Sequence, residues 1–127
     1  MARRKSPSGF GWTQPKKESK QPAPRNLAHE TSLCGAIRGR LLVRLRYDDD
    51  VLDRLFAPYA VYRSANDKVL VTGVQIENPA EPIERFEPRN LEVGKITALE
   101  ITDSTFIPDR RFNLHDDKYQ NGFICRF

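Results

Sequence analysis

No stretch of this chain approaches the roughly 20 consecutive apolar residues that a helix needs to cross a bilayer, so neither a membrane span nor a membrane partner is expected. Cysteine is scarce. Cys34 and Cys125 are the only two, too far apart in sequence for a CxxC metal or redox motif. Histidine is as scarce, with His29 and His115 alone, which leaves no His cluster for a metal ion. The glycine-rich loops that cradle phosphate, GxxxxGK and GxGxxG, are missing. Neither cysteine has a histidine beside it in sequence to act as a base. These absences point to a protein that is not an enzyme and uses no cofactor or metal. The opening MARRKSPSGFGW is charged but lacks the apolar run of about 7–15 residues of a secretory signal. A reducing cytoplasm is therefore expected, with both cysteines kept as thiols, since spacing alone establishes no disulfide.

What the chain does have is charge, unevenly placed. Of 21 basic residues, seven fall in residues 1–26 beside one acid, Glu18, whereas residues 27–127 hold 14 basic and 16 acidic side chains. The tail carries +6 and the remainder −2. The net +4 and the pI near 9.3 thus describe the tail, and not a basic body that grips phosphate over its whole surface. Pro7, Pro15, Pro22 and Pro24 interrupt any helix in this tail, and its apolar content is too low to offset ordering entropy, so residues 1–26 are expected to be disordered. Phe10 and Trp12 stand out there as rings able to stack on bases or to anchor in a partner's pocket. The remaining length suits one domain over residues 27–107, followed by a C-terminal extension over 108–127.

Asn26 is a helix-capping residue after Pro24, and NLAHETSLCGAIRGR places Leu33, Ala36 and Ile37 on one side of a short helix that Gly39 ends. RLLVRLRYD then alternates. Leu41, Val43, Leu45 and Tyr47 face one way, and Arg40, Leu42, Arg44 and Arg46 the other, the pattern of a half-buried strand. Asp48, Asp49 and Asp50 make a turn, and VLDRLFAPYAVYR is a second strand in which Pro58 implies a bend or an edge position. Asn66 and Asp67 turn into KVLVTGVQI, a third strand whose Gly73 implies a bulge or a close backbone approach. IERFEP and KITALEIT supply a fourth and a fifth strand, and the closing GFICRF suits an edge strand. Five short strands after one helix predict a mainly β protein, a small SH3-like or Sm-like barrel in which closure removes exposed edges.

The order helix, RLLVRLRY, RLFAPYAVY, KVLVTGVQI, ERFEPRNL, ITALEITDSTF resembles the WYL domain, a bacterial regulatory module built on such a barrel. The resemblance spans Leu33–Phe106. Tyr47 stands where the family ends its first strand in Tyr, and Pro58 where its second strand carries Pro. Phe86 and Leu91 stand where an aromatic and an aliphatic residue flank the family's basic loop, and Thr102 to Phe106 is similar to its closing element. Lys68, Val69 and Leu70 occupy the place of the eponymous Trp-Tyr-Leu, sharing only the Leu; Glu87 and Asn90 stand where the family has Arg, with Arg85 and Arg89 nearby. No helix-turn-helix precedes the barrel. The resemblance implies a stand-alone ligand-sensing module in transcription regulation.

Alternate residues of a strand lie about 7 Å apart, so the arginines of the first strand can follow a phosphate backbone. Phosphate is assigned to Arg44, Arg46, Arg85 and Arg89, and base stacking to Tyr47, Tyr59 and Tyr62, with single-stranded DNA or RNA or a nucleotide as the ligand. The plainer reading of the same arginines is a solvated strand face paired with Asp53, Glu84 or Glu87. Asp48–Asp50 reads as turn chemistry in preference to a cation site, and His115-Asp116-Asp117 as a polar loop. From a different class, the chain reads as a protein-interaction adaptor that docks another chain by strand addition, or as a structural accessory of a nucleoprotein complex.

Overall fold

The computed structural model describes residues 21–80 and 88–127. Phe10, Trp12, Arg85 and nearly all of the expected fourth strand IERFEP lie outside the described residues. Helix α1 (Leu27–Gly39) starts where the capping residue predicts, the Asn26 side chain accepting from the His29 amide at 3.0 Å. Its end differs by one residue. Arg40, and not Gly39, adopts the left-handed conformation at φ 53° and ψ 47°, and its amide donates to the Ala36 and Ile37 carbonyls before the chain enters the sheet.

Six antiparallel strands follow: β1 (Leu41–Tyr47), β2 (Arg54–Arg63), β3 (Val69–Glu77), β4 (Pro88–Glu92), β5 (Ile96–Thr105) and β6 (Phe123–Arg126). The order across the sheet is β4-β3-β2-β1-β5. One margin of β2 is shared: β1 pairs with Arg54–Phe56, and β6 pairs with Ala60–Tyr62. Among the described residues β4 and β5 form the two ends and do not pair with each other, so the expected closed barrel is an open sheet. GFICRF does form a strand, but it joins the central β2 without prolonging either end. None of the described helices is long and apolar enough to cross a membrane.

Pro58 lies inside the strand with the most partners, so of the bend or edge it implied, the edge is not what forms. It is admitted by a register shift between Pro58 and Ala60 in the β2–β3 ladder. The extra residue changes the phase of alternation. Phe56 and Val61 pack in the helix-side core, while Ala57, Tyr59, Ala60 and Tyr62 all pack on the opposite face. Gly73 lies opposite Pro58, and a Cβ there would meet the Ala57 carbonyl oxygen at 2.0 Å, the close approach that the glycine implied.

The helix-side core joins Leu33, Ala36 and Ile37 of α1 to Val43, Leu45, Phe56 and Val71, all fully buried. The opposite face is covered by the chain after β5, through Phe106, Phe112, Leu114, Tyr119, Phe123 and Phe127. The C-terminal residues expected as an extension therefore form a second layer. Cys34 of α1 and Cys125 of β6 are joined in a disulfide with a Cα–Cα distance of 5.7 Å, where thiols were expected. The pairing sets Cys125 opposite Val61, a helix-side residue of β2, and so brings together two cysteines 91 residues apart.

Candidate functional site

Arg44 and Arg46 project from the exposed positions of β1, as the alternation predicts, while Val43 and Leu45 are buried. Arg44 is flanked by Leu55 on β2 and Glu100 on β5, and among the described residues it makes no hydrogen bond or ion pair. Arg46 donates through Nε to Asp53 at 2.8 Å in an exposed pair, one of the pairings anticipated for a solvated strand face. Tyr47 points to the opposite side. Its hydroxyl accepts from the Glu92 amide at 3.0 Å, and the Arg54 guanidinium lies 5.6 Å from its ring centroid. Asp50 of the acidic turn accepts from Arg54 Nε at 2.7 Å and from the Tyr47 amide at 2.9 Å, which is ion-pair and turn chemistry. Asp116 accepts from the Lys118 amide at 3.0 Å and so caps a short 3-10 turn over Asp117–Tyr119.

Tyr59 and Tyr62 share the outer face with the two arginines, but each is only 2 % exposed. The expected stacking of bases on these rings meets a layer already in place. The Tyr59 ring has Phe106 stacked at 5.4 Å, Phe112 tilted at 4.5 Å and Phe127 edge-on at 5.2 Å. Its hydroxyl accepts from the Asp109 amide at 2.7 Å. Tyr62 meets Tyr119 edge-on at 4.6 Å and donates to Asn90 Oδ1 at 3.2 Å. Burial pushes the Tyr62 phenol up to about 12, with Tyr119 and Asp116 acting in the same direction.

The sign of the resulting pH effect follows. A phenol whose value is raised on folding contributes stability that is complete below its unfolded value near 10 and lost as pH rises through about 12. Urea melts from about pH 9 to about pH 12 are expected to show this alkaline loss, and Tyr62→Phe to flatten it. An identical alkaline limb in that variant would contradict the assignment.

Arg89 lies half-buried on β4, its Nη1 donating to the Pro88 carbonyl at 3.1 Å, with β2 and β3 between it and the arginines of β1. The residues predicted together therefore separate. Arg44 and Arg46 form an outward ridge, Tyr47 lies behind it, Tyr59 and Tyr62 lie under cover, and Arg89 sits at the far end of the sheet.

The last residues of the tail dock on the body, which sequence reasoning missed. The Ala23 amide donates to the buried Glu92 carboxylate at 2.7 Å, and the Pro24 backbone lies where a Cβ on Gly94 would meet its carbonyl at 2.4 Å. Arg25 clasps Glu30 through two hydrogen bonds of 3.0 and 2.6 Å. Lys95 follows directly, and its carbonyl accepts from the Asp48 amide at 2.8 Å, just beyond β1. The aromatic cover was missed as well, although a signal existed: five of the chain's twelve aromatic residues fall in the last 22 positions. Compared with models of known protein families and with curated proteins, the chain matches none.

Proposed function

We propose that this chain is a non-enzymatic binding module for single-stranded nucleic acid or a nucleotide-type anion, a relative of the WYL regulatory domain acting in transcription regulation. The observation that carries the reading is where the basic tail joins the body. Its final residues dock at Glu92 and Gly94, beside Lys95 and the end of β1. In sequence six tail cations precede this docking point, which lies at the sheet end that bears Arg46, with Arg44 one step along the same face. Contacts of this kind position a phosphate backbone without reading its sequence. With Tyr59 and Tyr62 covered, binding in this state rests on charge.

We also read the open sheet as a variant of the SH3-like or Sm-like barrel. Supporting this, β5 reaches back across the β1–β4 meander to pair with β1, the connection that curls such a sheet, leaving β4 and β5 as its two ends. A fluorescence-anisotropy titration with a short single-stranded oligonucleotide at low and at physiological salt tests the function. Binding at low salt that weakens steeply supports it. No binding at low salt removes it.

One observation favours the adaptor reading. The ten-residue β5 pairs only with β1 among the described residues, so its other margin is available to an extended peptide. Such docking would persist at physiological salt, which separates the two readings.

A further inference from the structure

We infer that the Cys34–Cys125 disulfide is a reducible latch, opened by a dithiol, whose reduction loosens the C-terminal layer and uncovers the face of Tyr59 and Tyr62. Cys34 lines a groove of 210 Å³ together with Leu27, Glu30, Thr31, Arg38 and Ile124. Leu27 is 64 % exposed and Ile124 38 %, so the rims of the groove are apolar and open to an incoming thiol carrier. Residues four apart share a helix face, which sets Cys34 between Glu30 and Arg38. Glu30 is neutralised by its two hydrogen bonds to Arg25. Arg38 makes no ion pair among the described residues, so the uncompensated charge lining the groove with Cys34 is positive and attracts an incoming thiolate.

What the bond restrains is lightly held otherwise. β6 has four residues, meets β2 at three register positions and carries a register shift between Val61 and Tyr62. Beyond it, the Phe127 amide donates to the Tyr59 carbonyl at 3.0 Å, and the Gly122 carbonyl accepts from the Arg63 amide at 3.1 Å. Between β5 and β6 the chain has one three-residue turn of helix as its regular structure. A segment with so few ladder bonds belongs to the low-stability end of a fold. The disulfide ties this segment to α1, on the far side of the sheet from the rings it covers.

The exchange balances as follows. One thiolate of the dithiol attacks Cys34 Sγ, the Cys34–Cys125 bond breaks, and Cys125 leaves as a thiolate that takes up a proton. The second thiol of the donor, deprotonated, attacks the mixed disulfide and releases Cys34. The donor ends as a disulfide, and two electrons and two protons have passed to the protein. The uncovered rings lie on the face of Arg44 and Arg46, so the functional consequence rests on the strand-binding reading.

The test uses the full oxidised chain with dithiothreitol as the dithiol, followed by hydrogen exchange and by oligonucleotide titration. Complete reduction is expected to accelerate exchange of the Arg63 and Phe127 amides at least about tenfold while the β1 and β3 amides stay protected. The Cys34→Ser/Cys125→Ser double variant should reproduce that pattern without reductant. Unchanged exchange after complete reduction overturns the latch, and so does loss of protection throughout the sheet. Oligonucleotide affinity should rise about fivefold or more on reduction, the worth of one stacked base. Faster exchange in the cover with oligonucleotide binding absent in both redox states supports the latch and overturns the strand-binding reading.

Discussion

Replacing Arg3, Arg4, Lys5, Lys16, Lys17 and Lys20 by glutamine is expected to flatten the salt dependence of single-strand binding by about 4 in the slope of log affinity against log salt. Each neutralised phosphate on a single strand contributes about 0.7 to that slope, and these six cations are all the basic residues before the tail docks. These six alone account for a roughly 300-fold fall in affinity between about 50 and about 200 mM salt. Arg44→Ala should change the slope by about 0.7, because its charge has no carboxylate partner among the described residues. Arg46→Ala should change it less, because Arg46 already pairs with Asp53 at 2.8 Å and would exchange one anion for another. Anisotropy titrations across a salt series measure all three. A slope unaffected by the six substitutions would show that the tail does not touch phosphate.

Gly73→Ala is expected to lower the unfolding free energy by about 3 kcal/mol or more. The added methyl would sit 2.0 Å from the Ala57 carbonyl oxygen and 3.0 Å from the Phe56 ring. Neither neighbour yields cheaply, since Ala57 is backbone in the central strand and Phe56 is fully buried in the helix-side core. The strands must part where Pro58 has already interrupted the ladder. At an ordinary urea dependence this shifts the midpoint by roughly 1.5 M. Gly35→Ala is the internal comparison: nothing lies within 4 Å of its Cβ position and it is exposed in α1. That substitution should stabilise by about 1 kcal/mol, because alanine loses less entropy in a helix. Urea melts giving the same sign for both variants would contradict this account.

Much of this architecture can be read from local pattern. The helix cap at Asn26 and the alternation of Leu41–Tyr47 are short-range physics, set by a side chain reaching its own backbone or by the two-residue period of a strand. Gly73 announced a close approach, although not what approached. Pro58 implied a bend or an edge, and of the two the ladder shows an irregularity, a shifted register in β2 that accommodates the proline away from an edge.

By itself the sequence determined that the net positive charge comes from the first 26 residues, that one helix precedes a set of strands, and that Arg44 and Arg46 leave β1 on the side away from its apolar residues. Tertiary structure alone decided which face was already occupied. Tyr59 and Tyr62 read as available rings until Phe106, Phe112, Tyr119 and Phe127, some 50 residues later, fold over them. It also decided that Cys34 and Cys125 meet, and that β4 and β5 stay unpaired with each other among the described residues. The reason is the same in each case. Burial and bonding between distant residues depend on how the sheet orders its strands, and periodicity along the chain carries no information about that order.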